Sequence, residues 1–252
     1  MKQDIRKLQN RYLVRGLCVL PFTPFLYLQG QYTRFRVGRL PDAEGESSGT
    51  FGNGHKTLRL LAIGESTVAG VGVENIKDAL GGRFAYHLSK KTDATVQWHS
   101  IGVSGITVKR TLEEILPEVP DEKFDLVLIA LGGNDVFSLN SPVAFRNGMS
   151  DLIDRLRNRS PDAGVVLANV PMIRDAIALP HPLKYVLTQL AKMQHFNSID
   201  FASNMENVYY YDEVKRVGDD FFSDGIHPSV SGYDSWARDM VDCYTRWKDR
   251  ES

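Results

Sequence analysis

Past residue 56, apolar runs of strand length alternate with amphipathic stretches of helix length. Strands are predicted over 58–63, 95–99, 124–131, 164–170 and 208–211, and helices over 76–91, 108–116, 142–159, 183–196 and 230–247. The run FDLVLIAL at 124–131 is continuously apolar, the pattern of a strand buried on both faces. Pro142 suits the first turn of its helix, where the missing N–H has no intrahelical acceptor. Strict β-α alternation implies parallel strands with helices on both faces: a three-layer α/β/α sandwich on a mostly parallel five-stranded sheet. In such a sheet, ligand chemistry belongs just beyond the carboxyl ends of the strands.

The segment before the first strand breaks this rhythm. Residues 41–56 (PDAEGESSGTFGNGHK) are rich in Gly and Ser without apolar periodicity and are expected to be a linker. The chain thus divides into an N-terminal arm (1–40), a linker (41–56) and one domain (57–252). Within the arm, Ile5, Leu8, Tyr12, Leu13, Gly16, Leu17 and Leu20 fall at helical spacing with bases on the other face. The apolar run GLCVLPFTPFLYL that follows is broken by Pro21 and Pro24 and falls short of the roughly 20 residues a membrane-spanning helix needs. No small-x-small cleavage site follows it, so no cleavable signal peptide is recognised. An arm of this kind fits a membrane interface or the side of its own domain, and periodicity cannot tell lipid from protein.

Charge sharpens that point. The whole chain carries a formal −1, but residues 1–41 hold eight Lys or Arg against one acid, Asp4. A basic end on an acidic body suggests an anionic partner, a phospholipid surface before a nucleic acid. The expected location is cytoplasmic or peripheral at the inner membrane face. Cys18 and Cys243 are expected to be unpaired, and the six histidines show no metal-ligand spacing.

Four polar clusters follow strands or sit in the last loop. Gly64-Glu65-Ser66 places a serine on a strand-to-helix turn, where its hydroxyl is exposed and its amide free to donate. Ser104-Gly105 follows the second strand, with a glycine that lets backbone approach a ligand. Gly132-Gly133-Asn134-Asp135 ends the most apolar strand and would put the Asn134 amide in the crevice. Asp224-Gly225-Ile226-His227 precedes the last helix, and among the histidines only His227 has an acid three residues earlier, within reach of Nδ1. Each cluster also has a bland reading as a helix cap, turn or surface ion pair. In this order and at these positions they supply a nucleophile, a base, an orienting acid and oxyanion donors, the parts acyl transfer requires.

On those blocks, GES, SG, GGND and DGIH, residues 58–247 resemble the SGNH, or GDSL-type, serine hydrolases. The resemblance implies a flavodoxin-like sheet, Ser66 as nucleophile, His227 as base oriented by Asp224, and an oxyanion hole from the amides of Ser66 and Gly105 and the Asn134 side chain. It implies the reaction class, ester hydrolysis, and no particular substrate; a carboxylic, short-chain acyl ester is the expected one, and a lysophospholipase or thioesterase of the same mechanism, or a non-catalytic binding module, are the alternatives. Neither cofactor nor metal is called for, and the expected partner is a small-molecule or lipid ester, not a nucleic acid. Two positions depart from the family pattern: Glu65 stands where Asp is usual, and Ser100 where Asn is frequent. Met172, Ile173, Ile177 and Leu179, after the fourth strand, could line an acyl pocket or merely pack a loop.

Overall fold

The computed structural model describes residues 4–38, 40–170 and 173–251. Two helices come first, α1 (Ile5–Val19) and α2 (Thr23–Val37), joined by a 3-10 turn at Leu20–Phe22. Asp4 starts α1 by accepting from the Arg6 amide at 2.9 Å. Pro21 and Pro24 occupy the second positions of the turn and of α2, within the first turn, where a missing N–H costs nothing. The prolines therefore break one amphipathic stretch into two helices.

The body contains β1 (Ser48–Phe51), β2 (Thr57–Gly64), α3 (Ser66–Ala69), α4 (Leu80–Thr92), β3 (Thr95–Gly102), α5 (Val108–Arg110), β4 (Leu126–Ala130), α6 (Gly133–Phe137), α7 (Pro142–Arg159), β5 (Gly164–Leu167), α8 (Leu183–Ala202), β6 (Val208–Tyr210) and α9 (Val230–Glu251). The sheet order is β1-β3-β2-β4-β5-β6, with β2 to β6 parallel and β1 antiparallel to β3. The two-residue period of the strands divides the core. Leu60, Ala62, Leu126 and Leu128 face Phe84 of α4 and Tyr233 and Met240 of α9. Leu61, Ile63, Val127 and Ile129 face Phe145, Met149 and Leu152 of α7. Both faces of β4 are buried, as its unbroken apolar run requires.

The sheet has six strands where five were expected, because β1 lies inside the supposed linker. Its pairing runs from Ser48 opposite His99 to Phe51 opposite Val96. The Ser-Gly-Thr-Phe sequence has no apolar face of its own to announce a strand; the open edge of β3 supplies the hydrogen bonds. Phe51 then stacks on Trp98, with ring centroids 6.3 Å apart, and meets the edge of Tyr86 at 5.6 Å. Nearby, the Ala43 amide donates to Ala69 O and the Ile76 amide to Glu44 O, which ties residues 43–44 to the body as well.

Two helices differ from expectation in detail. The stretch predicted from 76 to 91 is a 3-10 turn, Ile76–Asp78, followed after extended Ala79 by α4. The stretch predicted from 108 to 116 begins as α5, continues as a π-helical turn over Thr111–Ile115 and ends as a 3-10 turn at Leu116–Glu118. Cys18 is exposed and Cys243 buried, and both are free.

The arm packs on the domain along one face. α1 lies against α7 and α8, and α2 against α8. Leu8 and Leu26 are buried there. The Tyr12 hydroxyl donates to Leu139 O. Gln29 bridges the start of α8, donating to His181 O at 2.7 Å and accepting from the Leu183 amide at 3.1 Å. Among the described residues, no helix is long and apolar enough to cross a membrane.

Candidate active site

Ser66 opens α3 immediately after β2. The turn is wedged between neighbouring strand ends: the Glu65 amide donates to Ala130 O of β4 at 3.0 Å, and the Val103 amide to Gly64 O at 3.1 Å. A Cβ on Gly102 would stand 2.2 Å from the Ala69 amide nitrogen, so only glycine lets α3 settle onto the end of β3. As the first residue of its helix, Ser66 keeps an amide with no intrahelical acceptor.

Beside it, Glu65 is fully buried and anchors the next cluster. Its carboxylate accepts from the Gly133 amide at 3.1 Å, the Asn134 amide at 2.9 Å and Asn134 Nδ2 at 2.6 Å. Burial pushes this carboxyl up to about 7, helped by the negative charge of nearby Asp135 and opposed by those three hydrogen bonds. Asp135 itself is buried, holding the Val108 amide at 3.1 Å and Asn140 Nδ2 at 2.8 Å, and burial raises it too.

His227 sits in a closed loop between a 3-10 turn (Asp219–Phe221) and α9. The loop is clasped by the Ser223 amide donating to His227 O and the Ser229 amide donating to Phe221 O, each at 2.8 Å. Asp224 Oδ2 lies 2.8 Å from His227 Nδ1, and its Oδ1 accepts the amides of Ile226 at 2.9 Å and His227 at 2.7 Å. Burial pushes the Asp224 carboxyl up, but the bonds from the His227 side chain and from both amides outweigh it and hold the group below its ordinary value. α9 is tied to the nucleophile's loop by the Tyr233 hydroxyl, which donates to Val71 O at 2.8 Å.

Ser66, Asn134 and His227 line one cleft at the carboxyl ends of the strands. Its wall is largely apolar, formed by Phe137, Ile173, Leu179 and Trp236 among others. Gly105 does not line it; it stands exposed at φ 80° on the loop after β3, and its amide has no acceptor among the described residues. Of the candidate acyl-pocket residues, Ile173 and Leu179 are buried in the wall, Ile177 is exposed, and Met172 lies outside the described residues. The Ser100 hydroxyl is buried without a partner among the described residues, so the smaller side chain leaves one polar atom unsatisfied.

Sequence reasoning missed several contributors. Glu65 adjoins the nucleophile, and its burial, unlike its position, leaves no local signal. Trp236 is held by Asn169 Oδ1, which accepts from its Nε1 at 2.9 Å across 67 residues. His87 has no acid three residues earlier but finds one across the fold: Nε2 lies 2.9 Å from Asp234, which also binds Arg83. That pair joins α4 to α9 and does not line the cleft.

A mostly parallel α/β sheet thus carries a serine turn, a histidine held by Asp224 and an apolar cleft together at its strand ends. The family model of the GDSL-like lipase/acylhydrolases matches residues 62–234, more than half of the sequence, and the chain belongs to that family. No curated protein matches it. Among solved structures, it is similar to the family 3 carbohydrate esterase of Clostridium thermocellum (TM-score 0.57, 21% identity, 74% of this chain and 94% of that one). It is likewise similar to the lipase Lip_vut3 from goat rumen metagenome (0.58, 18%, 73% and 96%). Phospholipase A1 from Streptomyces albidoflavus NA297 gives 0.53 at 15% identity, covering 74% and 98%. At such identities the likeness extends to the fold alone.

Proposed function

We propose that the protein is a serine esterase that hydrolyses short-chain acyl esters through an acyl-enzyme, with Ser66 as nucleophile and Asp224 and His227 completing a triad. One observation carries this reading: the 2.8 Å contact of Asp224 with His227 Nδ1, in a cleft that Ser66 also lines. A carboxylate at Nδ1 keeps the proton there and leaves Nε2 with a free lone pair.

His227 Nε2 takes the Ser66 proton as Oγ attacks the ester carbonyl carbon. The carbonyl π electrons move to oxygen, and the oxyanion is met by the Ser66 amide and by Asn134 Nδ2. That amide nitrogen carries two hydrogens, so one remains after Glu65 has taken the other. Gly105, the third donor that the resemblance implies, does not line the cleft, which leaves these two donors at hand. Each is worth roughly 3 kcal/mol in the transition state. The C–O bond then breaks, and the alcohol leaves with the proton from His227. Water, deprotonated by His227, attacks the acyl-Ser66; the acid departs and Oγ regains a proton.

The apolar wall at Ile173, Leu179 and Phe137 also favours lipid acyl groups, so a lysophospholipid or thioester substrate is the second reading. Hydrolysis rates over a p-nitrophenyl ester series from acetate to palmitate, beside a lysophospholipid and an acyl-CoA, separate the two. Ser66→Ala is expected to abolish hydrolysis and fluorophosphonate labelling while the protein stays folded. Retained labelling would refute the assignment and leave a non-catalytic binding module.

A further inference from the structure

The arm docks through one face only and leaves an unusual surface on the others. In α2 the docked face carries Leu26 and Thr33, both buried. Phe25, Leu28, Tyr32 and Phe35, spaced i, i+3, i+7 and i+10, form a stripe away from that face, and Phe35 is 87% exposed. In α1 the docked face carries Leu8. Leu13, Leu17 and the following Leu20 project along one exposed flank, with Leu17 at 69% exposure. Lys7, Arg11 and Arg15 follow the other flank at i, i+4 and i+8, and all are exposed without an acidic partner among the described residues. Arg34 and Arg36 end α2 in the same condition.

A contiguous row of large exposed apolar side chains marks an interaction surface. Bases alongside select the partner's charge, and an apolar stripe flanked by cations suits the boundary between acyl chains and anionic headgroups. From this juxtaposition, we infer that α1 and α2 form an interfacial docking surface for an anionic phospholipid bilayer.

The arm's attachment gives this docking a consequence. Tyr12 holds Leu139, two residues beyond the cleft residue Phe137. Gln29 holds His181 and Leu183, two and four residues beyond the cleft residue Leu179. Both anchors thus sit on segments that form the apolar wall, where Phe137 and Ile177 also stand exposed. A bilayer-bound arm brings the cleft rim to the lipid surface, so membrane-resident esters become the preferred substrates. This last step rests on the esterase reading; the docking does not.

The test is co-sedimentation of the full-length protein with vesicles of phosphatidylcholine, alone or with phosphatidylglycerol, at low and high salt. Binding is expected only to the anionic vesicles and is expected to weaken in salt. Leu28→Asp/Phe35→Asp should lower it roughly tenfold or more by placing charge at the apolar face. Arg11→Gln/Arg15→Gln, on an exposed flank, should lower it roughly thirtyfold, the effect of removing two bases from an anionic surface, and gives the answer should the first pair fail to fold. Both variants should keep wild-type rates on a soluble acetate ester and lose rate on a vesicle-embedded one. Vesicle binding by Ser66→Ala should match wild type, so docking is read even where hydrolysis fails. Wild type remaining in the supernatant, or both variants pelleting like wild type, overturns the inference. So does a solution dimer that Leu28→Asp/Phe35→Asp dissociates without any vesicle binding, which assigns the stripe to a second copy.

Discussion

Asn134 Nδ2 donates to Glu65 Oε2 at 2.6 Å, so the residue preceding the serine in the chain holds the side chain that would face the oxyanion. The end of β2 and the end of β4 are thereby locked together by a buried carboxylate that also takes two amides of α6.

Replacing Glu65 with Gln can put an NH2 group at the Oε2 position, where two of the three donors, the Asn134 amide and its Nδ2, now end. The Asn134 side chain loses its fixed orientation, and kcat is expected to fall roughly 10²-fold, as for loss of one oxyanion donor, with KM little changed. Stability should move the other way. Because the folded-state value of Glu65 lies at about 7 against an ordinary 4.5, the native protein retains a proton that the unfolded chain has released between those pH values. Its stabilisation is complete below the lower value and is lost as pH rises through the upper one. Denaturation of wild type minus Glu65→Gln should therefore decline by roughly 3 kcal/mol across that window. A flat difference would sink the assignment.

Asp224→Asn keeps the shape of the His227 loop but reverses the hydrogen bond at Nδ1 and favours the wrong tautomer. A drop of roughly 10⁴ in kcat on a soluble ester is expected. Since Asp224 is held below its ordinary value in the fold, its contribution to stability is present above that ordinary value and lost as pH falls through the lower folded one. Acid denaturation of the variant should accordingly shift less with pH than that of wild type.

Gly102→Ala drives a methyl group against the backbone of α3, 2.2 Å from the Ala69 amide nitrogen. Backbone cannot step aside as a side-chain tip can. A stability loss of about 1–3 kcal/mol is expected, and kcat should fall because α3 carries Ser66. Equal kcat with wild type would show that the nucleophile's turn floats free of β3.

Phe51→Ala tests whether β1 belongs to the fold. The side chain is only half-buried, so the loss should be about 2 kcal/mol, below that of a fully buried phenylalanine. Urea denaturation reads it, with esterase rates unchanged under native conditions. No loss would return residues 48–51 to the status of a tether.

What the chain determined by itself was local. Alternating runs such as LRLLAI and FDLVLIAL dictate buried parallel strands, and the serine, asparagine and histidine blocks fall at strand ends or before the last helix, because two-residue and 3.6-residue periods are written in consecutive positions. Asp224 and His227 were legible as a pair because they stand only three positions apart. Tertiary structure alone decided the rest. β1 became a strand because β3 had an edge to fill. Glu65 became a buried anchor because β4 brings Gly133 and Asn134 to it from 68 and 69 residues away. His87 found Asp234 across 147 residues, and Gly105 stayed outside the cleft lining although its block marks it for the site. Burial and long-range hydrogen bonding depend on which segments the fold juxtaposes, and no local pattern encodes that.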